Sequence, residues 1–296
     1  MGVMKAGILK LNVNVKKRRH NRSLEVDILL SIFLGAFALF SAWPLVFVIN
    51  NAFKPISEIF LFPPRLFVIS PTLDNFYDLF TIIGNSWIPF SRYIFNTVFI
   101  TALGTLGTVI LGSMAAFPLA KYSFPGSTIM SKLIVYSLMF SGAVTAIPNY
   151  IIMSRLGMID TYWAVIIPAV GSTLGLYLMK NNIVQIPDSL LEASKIDGAS
   201  EFKIFWSVIM PLSKPAWITL IVLSFQALWG TTGGMVLYTE SLKPVSFALS
   251  QILAAGIPRA GVATAVMLIM LIVPITVFIV SQTKVLETMA TSGMKE

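Results

Sequence analysis

The chain has 296 residues, 56% hydrophobic and only 11% charged, with a net charge of +8 and a mean hydropathy of +0.83. Soluble domains carry about 25% charged residues, so a water-covered surface is excluded and an integral membrane protein is implied. The absence of cysteine excludes disulfides and thiolate metal sites, and the single histidine, His20, has no second histidine with which to build a metal or catalytic site.

Residues 1–27 read as a basic tail. Seven of the 21 Lys and Arg lie in the first 22 residues, in and around KKRRHNR (Lys16–Arg22). Beside a long apolar run, such a cluster is a topology signal facing anionic headgroups, not a nucleic-acid site. The uncharged run 28–49 has 22 residues. At 1.5 Å per residue it makes a helix of roughly 33 Å, enough to span a bilayer. It is longer than a signal-peptide core of about 7–15 residues and lacks a small-residue cleavage site, so it is expected to stay as the first span.

Five further spans are predicted at about 93–118, 130–152, 162–180, 212–230 and 262–282, several carrying a proline (Pro118, Pro148, Pro168, Pro274). With the N-terminus inside, fifteen Lys and Arg fall on the cytoplasmic side and six outside, which predicts six spans with both ends cytoplasmic. Loops of about 50–92, rich in proline and aromatics, and about 231–261 then face outward. The loop of about 181–211 faces inward. Gly104, Thr108 and Gly112 in the second span, and Gly171 and Gly175 in the fourth, are small-residue series that let helices approach closely, within the bundle or, as the alternative, against a partner subunit.

All 13 Asp and Glu lie in tails, loops or span edges. A proton or sodium carrier places ionisable groups at mid-membrane, so a gradient-driven carrier or channel lacks its parts. No Walker A loop is present: the glycines of GTLGTVILGS have no lysine beside them. A membrane enzyme would need a convergent nucleophile and base, and none is visible. Transport work would need energy from another polypeptide.

The inward loop is polar at its start and amphipathic in its middle. Pro187 suits a first helical position. Asp188 and Glu192 then sit in early turns, where acidic groups suit the helix dipole. The helix DSLLEASKID stops at Gly198, which can take a left-handed C-terminal cap. Ser200 can cap a second helix, in which Phe202, Phe205, Trp206 and Ile209 fall on one apolar face. Pro211 and Pro215 mark the passage into the fifth span. The shape fits a groove on another protein; periodicity alone also allows a helix lying on the inner membrane surface.

Glu192-Ala193-Ser194-x-x-Asp197-Gly198-Ala199, followed by Phe205, Ile209, Met210-Pro211 and Pro215, resembles the EAA loop of permease subunits in binding-protein-dependent ABC importers. Ser194 replaces the usual second alanine, a small-for-small change. Residues 147–169 and the C-terminal tail resemble carbohydrate permeases of the maltose-transporter type, and the likeness covers roughly residues 25–296. It points to the branch assigned to complex oligosaccharides, including uronic-acid-containing ones. The resemblance implies an all-α type I ABC importer permease, residues 28–296, in a bacterial cell membrane. It implies a second, homologous permease, an ATPase dimer carrying ATP and Mg on the cytoplasmic side, and an extracellular solute-binding protein or lipoprotein; no cofactor is expected in this chain. Glu192, Ala193, Ser194, Asp197, Gly198, Ala199, Phe205 and Pro211 are then the ATPase-coupling residues. Sugars are held by aromatic faces and hydrogen-bonding side chains. The candidates at pathway depth are Tyr136, Phe140, Asn149, Tyr150, Trp163, Tyr177, Gln226 and Trp229. A non-sugar solute remains the alternative cargo.

Overall fold

The computed structural model describes residues 24–84, 88–254, 256 and 259–292; the regular elements among them are all helices, with no strand. The chain divides into two units, residues 1–47 and 48–296. Most of α1 (Leu24–Ala52) forms the first. Among the described residues, four helices are long and apolar enough to cross a membrane: Glu25–Ala52, Phe90–Lys121, Trp163–Val184 and Ala260–Gln282. Two bent helix pairs raise the number to as many as six.

In the second unit the segment after α1 is folded rather than linker-like. It holds α2 (Ile56–Ile59) and α3 (Asp74–Gly84). Its buried polar side chains satisfy the irregular backbone between them, as buried backbone groups require. The Lys54 ammonium donates to Arg65 O at 2.6 Å, Glu58 Oε1 accepts from Ile69 N at 3.0 Å, and Asn75 Nδ2 donates to Ala52 O and Lys54 O at 2.9 and 2.8 Å. Apolar side chains are left facing outward, with Phe62 93% exposed.

The hub is α4 (Phe90–Lys121). It packs against α7 (Trp163–Val170), α8 (Thr173–Val184) and α12 (Lys214–Trp229). Small residues permit this approach. A Cβ on Gly104 would lie 2.5 Å from Leu228 Cδ1, one on Gly107 2.6 Å from Val170 Cγ2, and one on Gly175 2.9 Å from Leu220 Cδ1. The predicted series is therefore partly right. Gly112 has nothing within 4 Å of its Cβ position, while Gly171 faces only its own preceding carbonyls. Gly171 instead serves a break: α7 ends there, and Ser172 caps α8 by accepting from Gly175 N at 3.3 Å.

The predicted third span, 130–152, is not one helix. It is α5 (Ser127–Ser137) and α6 (Gly142–Arg155), bent by 116°. The break covers residues 138–141, and an extended Ser141 (φ −73°, ψ 154°) is the N-cap from which α6 restarts.

After α8 come α9 (Asp188–Ile196), α10 (Glu201–Ile204), a π-turn (Phe205–Ile209) and α11 (Met210–Leu212). The α10–α11 segment meets α12 at 80°. The last elements are α13 (Val245–Ala254) and α14 (Ala260–Ser292). One core cluster joins Phe117 of α4, Met179 and Ile183 of α8 and Leu220 of α12 to Leu191, Ile204, Phe205 and Ile209 of the loop. The loop therefore shares its apolar core with the bundle instead of lying on it as a separate amphipathic helix.

Candidate coupling site and pathway

Helix α9 is bounded by backbone chemistry at both ends. Pro187 sits at the N-cap, one position earlier than predicted, with φ −60° and ψ 135°. A proline biases the residue before it away from helix, so Ile186 ends the preceding segment. At the other end Gly198 takes φ +77°. Ala199 N donates to Ser194 O and Gly198 N to Lys195 O, each at 3.0 Å. That pair of bonds is a Schellman cap, which glycine enters without a Cβ penalty. Ser200 then caps α10, its Oγ accepting from Lys203 N at 3.4 Å.

The last residue of α4 and the one after it hold both ends of α9. Lys121 Nζ pairs with Asp188 Oδ1 at 2.8 Å and also donates to Ile186 O. One ammonium thus serves the orphan carbonyls after α8 and the acidic first residue of α9. The next residue, Tyr122, reaches the far end. Its hydroxyl donates to Glu201 Oε2, Glu201 Oε1 lies 3.0 Å from Lys195 Nζ, and that ammonium stands 4.8 Å over the Tyr122 ring. Glu201 is held below the usual carboxylate range, first by the Tyr122 hydrogen bond and then by that of Lys195. Lys195 is raised, by its hydrogen bonds to Glu201 and then Tyr122.

The motif residues divide by face. Glu192, Ala193, Asp197 and Gly198 are exposed, as is Pro211; Ser194 and Ala199 are half-buried; Phe205 is buried. Among the described residues Glu192 has no ion-pair partner, whereas Asp188 and Glu201 do. Ile196, which sequence reasoning passed over, is 87% exposed on the same polar surface. The predicted apolar face of the second helix splits. Phe205 and Ile209 are buried, but Phe202 and Trp206 are exposed and touch edge to face. The π-turn begins at Phe205, and its wider i→i+5 winding departs there from the 3.6 periodicity on which the single face was drawn.

At the opposite end, Asp160 organises the loop before α13. It accepts from Tyr238 N and Thr239 N, both at 2.8 Å, and from the Thr239 hydroxyl. The Thr239 bonds, side chain first, hold its carboxyl below the usual range. Asn96 Nδ2 donates to Ser241 O and Lys243 O at 2.8 Å each, anchoring the same loop to α4.

The predicted pathway residues do not converge on one cavity. Tyr136 and Tyr177 share a cleft between α5 and α8. Tyr150 meets Tyr238 hydroxyl to hydroxyl at 3.1 Å. Trp229 stacks on Phe225 and donates its indole N–H to Met270 O at 3.0 Å. Phe140 lies in the turn between α5 and α6, while Asn149, Trp163 and Gln226 are exposed on separate elements. A further cavity of about 370 Å³ is bordered by hydroxyls that sequence reasoning did not single out: Thr108, Ser172, Ser224 and Thr231.

A helical membrane bundle that presents a capped and clamped two-helix loop at one end defines the class of import permease subunits. The chain belongs to the family of binding-protein-dependent transport system inner membrane components, whose family model matches residues 28–289. It is 33% identical over 231 residues to protein LplC of Bacillus subtilis strain 168, covering 76% of this chain and 75% of that one. It is 32% identical over 237 residues to the polygalacturonan/rhamnogalacturonan transport system permease protein YtcP of the same organism, covering 79% and 80%. The fold is the type I ABC permease fold: a chain in the crystal structure of a bacterial ABC transporter involved in the import of the acidic polysaccharide alginate superposes with a TM-score of 0.76 at 22% identity, over 88% of this chain and 98% of that one.

Proposed function

We propose that this chain is a transmembrane subunit of an ATP-driven importer of oligosaccharides, with uronic-acid-containing chains as the favoured cargo. The observation that carries the reading is α9: started by Pro187, closed by a Schellman cap, fastened to α4, and presenting Glu192, without an ion-pair partner among the described residues, beside exposed Ala193, Ile196 and Asp197. Such a rigid, partly apolar surface suits a groove on a motor protein, with Ile196 as the apolar knob. ATP and Mg then belong to a separate ATPase dimer, and closure of that dimer moves the bundle between two states. A second, homologous permease completes the pathway. The relatives support the cargo class, one being a polygalacturonan/rhamnogalacturonan permease and another structure importing alginate.

Six spans with both ends cytoplasmic put α9 inside and the loops around Phe62 and Tyr238 outside. Those outer loops are the surface for a solute-binding protein; a related alginate transporter has been crystallised with a pentasaccharide-bound periplasmic protein. The experiment is uptake of labelled oligogalacturonides by cells carrying the importer, with photocrosslinkers at Phe62 and Tyr238. Uptake that needs the ATPase, with capture of the binding protein at both outer positions, is expected. Uptake persisting without any ATPase subunit rejects the reading.

A further inference from the structure

We infer that the cleft between α5 and α8 is a way station for the carboxylates of an acidic sugar chain, built from Lys132 and Lys180 over Tyr136 and Tyr177; this rests on the oligosaccharide reading above. The cleft holds about 500 Å³, within the roughly 300–1,000 Å³ typical of ligand sites. Its polar lining includes both lysines, both tyrosines, Asn181 and Ser131, and no acidic residue among those described.

The arrangement has two levels. On α5, Tyr136 follows Lys132 by four residues; on α8, Tyr177 precedes Lys180 by three. Each helix therefore stacks one aromatic and one cation on a single face. The start of α5 and the end of α8 lie at the loop end of the bundle, since α8 leads into α9 and the turn before α5 clamps it. Both lysines thus stand nearer the loop end and both tyrosines one turn deeper.

Charge explains why these lysines are more than topology signals. Lys180 is half-buried, and its ammonium donates to Ser131 Oγ at 2.6 Å. Among the described residues neither lysine has a carboxylate within ion-pair distance, while buried Lys121 at the same end has Asp188. Lys180 is thus a partly desolvated ammonium without a counter-charge, which is costly unless an anion arrives, and the exposed Lys132 beside it adds a second cation at the mouth of the cleft. Lipid phosphate could meet the charge requirement. The paired tyrosines and the Asn181 amide favour a ring with hydroxyls and an apolar face, and each ammonium suits a ring carboxylate.

The test uses the complete importer in vesicles, with the uptake of trigalacturonate and of its methyl ester measured from saturating binding protein. In K132Q/K180Q, trigalacturonate uptake should fall about tenfold while ester uptake stays within about twofold, the size expected for losing a close charge partner. ATP hydrolysis stimulated by the loaded binding protein should persist, and K132R/K180R should restore uptake. Unchanged acid uptake in the glutamine variant overturns the cleft. So does an equal loss on both substrates, or a loss that disappears in vesicles of phosphatidylcholine alone, which would assign the lysines to anionic lipid. Wild-type vesicles that carry neither sugar overturn the oligosaccharide reading itself.

Discussion

Lys121 and Asp188 form a 2.8 Å ion pair in which the lysine side chain is 4% exposed and the aspartate 74%. The two partners are therefore unequal. The carboxylate is solvated and its removal should cost less than about 1 kcal/mol. Removing the ammonium also strips the Ile186 carbonyl of its donor, and an orphaned buried polar group costs about 1–3 kcal/mol. We expect K121M to lower the thermal midpoint of the purified permease clearly and D188N to lower it little. Equal effects would show that the ion pair, not the carbonyl, is what Lys121 serves.

The Tyr122–Lys195–Glu201 tie should respond to pH at both ends of the scale. Glu201 has a depressed pKa, so its contribution is present above the ordinary carboxylate value and is lost as pH falls through the depressed one. Lys195 has a raised pKa, so its contribution is present below the ordinary lysine value and is lost as pH rises through the raised one. Because the chain has no cysteine, a fluorescent label on S194C reports this helix alone. Its mobility should be lowest between the two limits. In Y122F the acid limb should shift to higher pH, since the larger cause of the Glu201 depression is gone.

Much of the loop was legible because its signals are local. Gly198, Ser200 and Asp188 act within one turn of where they stand, and each took the capping or first-turn place that local chemistry assigns. What was hidden depends on partners far along the chain. Lys121 counts in the sequence only as one of the inward charges and Tyr122 carries no signal, and nothing local says that they grip residues 67 and 79 positions away. Lys132 and Lys180 read as charges that set topology, because a periodicity argument cannot tell which helices adjoin. The π-turn has no simple composition signal, so the apolar face was drawn with the wrong winding. The break in the third span was passed over because hydropathy averages across it.

The small residues of α4 offer a paired test of packing. Gly104 has Leu228 Cδ1 2.5 Å from its Cβ position, and Gly112 has nothing within 4 Å. Alanine at 104 must push the α12 side chain aside and should destabilise by about 1–3 kcal/mol. Alanine at 112 should be neutral or slightly stabilising, since it replaces glycine in a helix. Thermal unfolding of the two variants side by side decides this; the reverse order would mean that α12 does not pack on α4 as described.

Gly198 tests the corner between α9 and α10. Its φ is +77°, and a Cβ there meets nothing within 4 Å, so any penalty comes from the backbone alone. Valine in the left-handed region should cost about 1–3 kcal/mol, and asparagine much less. We expect G198V to loosen the S194C reporter and to lower uptake, and G198N to retain most of both. If valine and asparagine behave alike, the loss at this position is not one of backbone conformation.

The strongest test of coupling separates the exposed surface of α9 from the ties that hold it. Glu192 and Ile196 are exposed, four residues apart on one helix face, and neither enters the buried cluster that fixes the loop. E192K should therefore leave the permease folded while turning attraction into repulsion at a docking site, and I196D should remove the apolar knob and place a charge in its stead. A mismatched charge in a desolvated interface costs about 2–5 kcal/mol, a loss of roughly 30-fold or more in association. K121M, by contrast, should loosen the helix without altering the surface it presents. We expect E192K and I196D to keep a wild-type thermal midpoint and lose co-purifying ATPase, and K121M to do the opposite: a lowered midpoint with the ATPase still bound, yet fewer sugars moved per ATP because the push is no longer transmitted stiffly to α4. Co-purification, thermal midpoint and the sugar-to-ATP ratio measured on the same three preparations distinguish docking from transmission. An E192K or I196D permease that held its ATPase and imported at the normal rate would remove α9 from the interface and return it to the membrane surface.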